Sequence, residues 1–198
     1  MVVSKTGLVN LVFSRLGLPS VVNIDTDTTD RGEDARLHYT SAYEELIVES
    51  KVKFATTQQA LTLVTDTATT EGDYEHYKPS DFLQLIRVVT DNTYITPKDN
   101  NKFWATTKGP LIEYISNNAL NTPSLWPIKF RQAFEARLAA RLGNIYAPDN
   151  QRIQAWFNES VSALASAAHN DSTSATESRY TGTMWDGTSW QSHYGVGL

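Results

Sequence analysis

Cysteine is absent from the 198-residue chain. Disulfides and thiolate metal sites are thereby excluded, and the fold can form in a reducing cytoplasm. Long apolar runs are missing too. No stretch approaches the roughly 20 residues that a membrane-spanning helix needs. The opening MVVSKTGLVNLVFSRLGLP has a lysine followed by apolar residues, but Asn10, Ser14 and Arg15 break the run. It therefore lacks the core of a signal peptide, and the expectation is a soluble protein made in the cytoplasm with no membrane contact. Positive charge is scarce: 17 Lys and Arg stand against 22 Asp and Glu, a net charge of -5. That balance opposes a nucleic-acid binder held through phosphates.

Catalytic signatures are equally scarce. There is no phosphate-binding G-x-x-x-x-G-K-[ST], no G-x-G-x-x-G, no H-E-x-x-H and no G-x-S-x-G. His38, His76, His169 and His193 are scattered and make no ligand spacing. The stretch from Asp25 to Arg36 fails as a calcium loop, because its sixth position is Asp30 instead of glycine and its twelfth is Arg36 instead of glutamate. YEHYKPSD brings Glu75, His76 and Asp81 together as a conceivable base and its orienting acid, but supplies no nucleophile. No catalytic, cofactor or metal residue is assigned, and the expectation is a protein that is not an enzyme.

What is present is patterned apolar sequence, 40% of the chain. Leu8, Leu11, Val12 and Leu16 form one helical stripe, stopped by Gly17 and Pro19. A second helix is predicted from about Thr28 or Thr29 to Lys53, with Ala35, Tyr39, Ala42, Tyr43, Leu46 and Ile47 on one side. A third opens at Pro127 and carries Phe130, Phe134, Leu138, Leu142 and Ile145. After Pro148, Asp149 or Asn150 can cap a fourth, with Ile153, Trp156, Phe157, Val161, Leu164 and Ala168 as its stripe. Between helices two and three, LTLVTDT, FLQLIRVVTD, TYITP, KFWATT and LIEYIS read as short strands. EGDYEHYKPSD reads as a turn-rich bridge, and HNDSTSATESR as a polar linker.

The fold class expected from this layout is α+β, mainly α: an antiparallel four-helix bundle with a small antiparallel β insert and an extended C-terminal arm. Residues 1–55 and 126–171 would form the helical domain, 56–125 the β-rich insertion and 172–198 the arm.

Two groups of residues are candidates for binding a partner. Arg137 and Arg141, four apart on the third helix, either pair with Glu45 or Glu49 of the second helix or form a subunit contact. In the arm, Tyr180, Trp185, Trp190 and Tyr194 are spaced among glycine, serine and threonine. Such rings bury about 150–250 Å² each and dominate interface anchors. The arm has too little else to fold on, so its rings need a larger partner: its own bundle, a neighbouring subunit or another protein, with a neighbour or another protein preferred because extended arms order when they bind.

The order of elements resembles the tail tubular protein A family, the head-to-tail adaptors of short-tailed bacteriophages, from residue 8 to about residue 171. LVNLVFSRLGLPSV resembles its opening helix and Gly-x-Pro turn. DARLHYTSAYEELIVESKVKFAT resembles its second helix, YKPSDFLQLIRV its lead of Tyr, Pro and Asp into a strand ending in Arg-Val, and FRQAFEARLAARLG its third helix. One departure is Lys51-Val52-Lys53, where the family often has Trp before Phe-Ala.

The resemblance implies a virion protein of the head-to-tail interface: a homo-oligomeric ring of twelve subunits between the portal protein and the tail nozzle protein. Double-stranded DNA would leave through its channel without specific binding, and no cofactor or turnover is involved. Twelve chains of charge -5 would give on the order of -60, which discourages DNA from adhering to a lumen wall. Two other readings are a hydrolase of host-surface polysaccharide, with Glu113 and Asp91 as candidate carboxylates, and a head-completion connector of a longer-tailed phage.

Overall fold

The structure is a computed structural model that describes residues 3–65, 68 and 73–181, with side chains described as far as residue 169. Four helices are present among these residues: α1 (Lys5–Leu16), α2 (Asp30–Ser50), α3 (Ile128–Tyr146) and α4 (Asn150–Thr181). Seven strands lie between α2 and α3: β1 (Thr56–Ala60), β2 (Thr62–Leu63), β3 (Tyr74–Tyr77), β4 (Phe82–Val88), β5 (Ile95–Pro97), β6 (Lys102–Ala105) and β7 (Leu111–Ser116).

Helix ends follow local chemistry. Ser4 caps α1 by accepting from the Gly7 amide, and Gly17 closes it at φ 71°, where a side chain would be strained. Thr29 caps α2 by accepting from the Gly32 amide. Asp149 Oδ1 accepts from the amides of Gln151 and Arg152 to start α4.

The helices arrange around α3, on which α1, α2 and α4 all pack. Small residues make this possible. Ala133, Ala136, Ala139, Ala140 and Gly143 are buried on several sides of α3, so three neighbours can approach it closely. Trp126 enters the core just ahead of α3. It stacks on Tyr43 at 5.0 Å between ring centroids and meets Phe130 and Phe134 edge-on at 5.5 and 5.0 Å.

The expected four-helix bundle with a small β insert is not what the chain forms. It has four helices plus two antiparallel sheets of seven strands among the described residues. One sheet has the order β1-β7-β4 and the other β2-β3-β6-β5. They enclose a second core of Leu61, Phe103, Ile112 and Tyr114, flanked by Phe82, Leu85 and Ile95. The physical reason lies in β7, whose alternating residues serve two cores. Ile112 and Tyr114 face the other sheet, while Ile115 joins the core of the helices. A strand buried on both faces needs a layer on each side, and one small sheet cannot supply that.

Two strands lie where none was expected. Thr56–Ala60 is polar and carries no apolar alternation, yet it pairs with β7 from Thr56↔Ile115 to Ala60↔Leu111. YEHY, inside the supposed bridge, is β3 and pairs with β6. Of LTLVTDT, Thr62–Leu63 alone is strand among the described residues. The supposed linker from 169 to 179 also differs, since α4 continues to Thr181. A helix nucleated by its packed first half adds further residues cheaply when they tolerate the conformation.

Candidate functional site

Arg137 is the most enclosed charge of the described residues, 3% exposed. Its Nε donates to Ser160 Oγ of α4 at 3.1 Å, and its Nη2 to Glu49 Oε2 of α2 at 3.3 Å. Its Nη1 donates to Glu45 Oε1. The guanidinium also lies 4.7 Å from the ring centre of Phe157. Arg141, one turn on, donates to Ser41 Oγ at 2.6 Å and to Glu45 Oε2. Both arginines thus form a ladder with α2 inside one chain. Arg137 joins three helices, whereas Arg141 remains partly open to solvent.

The ladder floors a groove between α2 and α4. A cleft of about 380 Å³ is lined by Glu45, Arg137, Arg141, Ile153, Gln154 and Phe157, among others. A second, of about 240 Å³, follows along the same two helices and is lined by Glu49, Ser50, Val161, Leu164, Ala165 and Ala168. Phe157 and Val161 are 41% and 43% exposed. Leu37 of α2 and Ile145 of α3 lie one helical turn from the paired Ser41 and Arg141 and line neither cleft. Both are exposed, Leu37 at 68%. Two large exposed apolar side chains, Phe157 and Val161, therefore line a groove whose floor is charged.

Sequence periodicity assigned Phe157, Val161 and Ile145 to the core. The signal that could have separated them is stripe width. Trp156 and Phe157 are adjacent apolar residues on α4, so its apolar stripe is wider than the single face that α3 covers. Ser160, fully buried as the acceptor for Arg137, carried no such signal.

The stretch weighed for catalysis is occupied by structural contacts. His76 is fully buried. Its Nδ1 faces the Tyr74 carbonyl at 3.1 Å, and its Nε2 accepts from the Gly109 amide at 3.0 Å. These partners fix a neutral tautomer with Nδ1 protonated. Burial pulls its pKa below the usual histidine value. Asp81 does not orient His76. It accepts from Tyr114 Oη at 3.0 Å, Ser116 Oγ at 2.5 Å and Asn118 Nδ2 at 2.6 Å. Burial and this carboxylate push the Tyr114 hydroxyl up to about 12. Glu75 is held by Lys98 at 2.6 Å and Lys102 at 2.9 Å, and these contacts lower its pKa.

Glu113 lies on β7 opposite Arg87 of β4 and pairs with it. Asp91 lies in the turn beyond β4. The Asp25–Arg36 stretch closes on itself: the Thr29 amide donates to Asp27 Oδ1 at 2.8 Å, and Arg36 Nη1 to the Ile24 carbonyl at 2.8 Å. No cluster of three or more potential metal ligands occurs among the described residues. None of their helices is long and apolar enough to cross a membrane. Of the aromatic candidates, Tyr180 falls within α4 without a described side chain, and Trp185, Trp190 and Tyr194 lie outside the described residues.

Comparison with protein-family models and with curated proteins finds no match to this chain.

Proposed function

We propose that the chain is a structural subunit of a ring adaptor between the portal of a phage capsid and the tail nozzle, forming part of the channel for genome exit. The observation that carries the reading is the groove between α2 and α4, with Phe157 and Val161 exposed along it. A cyclic ring needs heterologous contacts, hence two different faces on every subunit. Exposed aromatic and aliphatic side chains beside arginine are the composition of such a face.

The segments that carry the resemblance support the reading in a second way, because each does a defined job in the fold. Tyr39 and Tyr43 pack on the Trp126 cluster. Asp81 of the YKPSD stretch ties β7 to the turn before β4. Arg137 and Arg141 organise the helices. Twelve copies, portal and nozzle as partners, DNA passing unbound and location in the virion all belong to this proposal.

Electron microscopy of the purified protein mixed with the portal of the same phage tests it. The expected result is a new ring of density on the narrow end of the portal, absent from either component alone. A bare portal beside monomeric protein rejects the adaptor.

A further inference from the structure

The two clefts of the groove stand in a simple metric relation to the aromatic arm. Along α4 the larger is lined by Ile153, Gln154 and Phe157, and the smaller by Val161, Leu164, Ala165 and Ala168. Their centres are ten residues apart on the helix, which is about 15 Å at the helical rise. Trp185 and Trp190 are five residues apart, about 16 Å along an extended chain. At about 380 and 240 Å³, both clefts exceed the roughly 150 Å³ that holds a benzene ring.

We infer that the groove between α2 and α4 receives the C-terminal arm of a second copy of this chain, with Trp185 in the larger cleft and Trp190 in the smaller. The inference rests on the ring reading and names the contact that joins neighbouring subunits.

Charge sets the direction. Asp186, beside Trp185, is the one acidic residue in the sequence after Thr181. The larger cleft offers Arg141, which is still partly exposed beside its pairing to Glu45. The smaller cleft offers Glu49 instead. Seating Trp185 in the larger cleft brings Asp186 toward the arginine and leaves uncharged residues 187–192 near the glutamate.

Reach keeps the chain's own arm from filling both clefts: its own Trp190, nine residues past Thr181, spans up to about 31 Å and attains the smaller cleft alone. α4 runs to Thr181, sixteen residues past Ala165, so the start of the arm lies about 24 Å beyond the smaller cleft. Trp185 is four residues beyond Thr181, and four residues span at most about 14 Å. Its own Trp185 therefore falls short of the smaller cleft and further short of the larger. A neighbour's arm carries no such restriction. An arm in one direction and a groove in the other are the two unlike faces that a ring requires.

The absence of cysteine makes the test direct. One full-length chain carries Ala165→Cys, an exposed position in the smaller cleft, and another carries Ser189→Cys beside Trp190. The two are mixed and oxidised, alone and with the portal, and resolved without reductant. The expected product is a disulfide-linked pair of the two different chains. Its yield falls about tenfold or more when the arm-bearing chain also carries Trp185→Ala and Trp190→Ala, as anchors of this kind dominate an interface. Val22→Cys, at a 99% exposed loop position remote in sequence from the groove, should not link to Ser189→Cys.

Absence of the Ala165–Ser189 link both with and without the portal overturns the inference, as does a link indifferent to loss of both tryptophans. A ring on the portal without the link rejects this contact and keeps the adaptor. The link in protein that leaves the portal bare keeps the contact and rejects the adaptor.

Discussion

Tyr114 Oη lies 3.0 Å from Asp81 Oδ1, joining the central strand of one sheet to the turn that precedes β4. The same carboxylate holds Ser116 and Asn118. Ser116 is 2% exposed, so water cannot replace its acceptor, whereas Tyr114 Oη also reaches Gln59 Oε1 at 3.0 Å. Asp81→Ala should cost about 2 kcal/mol of stability, because it strands the buried Ser116 hydroxyl, while Tyr114→Phe should cost about 1. Urea denaturation of both variants and the double variant measures this. The double variant should lose less than the sum of the two single losses.

Arg137 and Arg141 share a carboxylate but not an environment. Arg137→Ala removes a buried group bonded to α2 and α4 and should cost about 3 kcal/mol. Arg137→Lys should recover little, since an ammonium cannot span Ser160, Glu45 and Glu49 at once or lie flat on Phe157. Arg141→Ala, at a more exposed pair, should cost less than about 1 kcal/mol. Equal losses at the two positions would contradict this hierarchy.

His76 should make the fold acid-sensitive. Unfolded, it takes up a proton near pH 6.5. Folded, burial lowers its pKa, and a proton on Nε2 would face the Gly109 amide that now donates to it. The unfolded state therefore binds more protons below about pH 6.5. Stability should be full above that pH and fall as the pH drops through 6, by up to about 1.4 kcal/mol per unit. Denaturation midpoints between pH 7.5 and 5 test the slope, and His76→Gln should flatten it.

Gly143 sits where α3 meets α4. A methyl group there would come within 2.9 Å of Trp156 Cζ3 and 3.3 Å of Ile153 Cγ1. Gly143→Val should destabilise by about 2 kcal/mol through overpacking, despite relieving the poor helix propensity of glycine. Thermal unfolding reads it out, and a rise in Tm would refute the tight contact.

The helices were legible because each carries a period of its own. Thr29 as a cap, the Tyr39–Tyr43–Leu46 stripe and Pro127 ahead of α3 mark them locally. The two-sheet architecture was not, because its pairing partners are remote. Gln58 and Gln59 are strand residues only because β7 lies alongside, and Glu75 reads as loop until Lys98 and Lys102 are brought to it. Of the candidate site, the pairing of Arg137 with Glu45 and Glu49 could be read from helical spacing. The groove above it could not. Exposure of Phe157 depends on which helix is missing from its side, and no periodicity records a missing neighbour.

β7 has a mechanical consequence. Tyr114 is anchored among the strands and the next residue, Ile115, among the helices, with β1 and β4 antiparallel on either flank. A pull along this strand loads two hydrogen-bonded ladders in shear, so many bonds must yield together instead of peeling one by one. Force applied to the strands is thus delivered to the helices through Ile115 of β7 and Leu83 of β4, which both pack on the core of the helices.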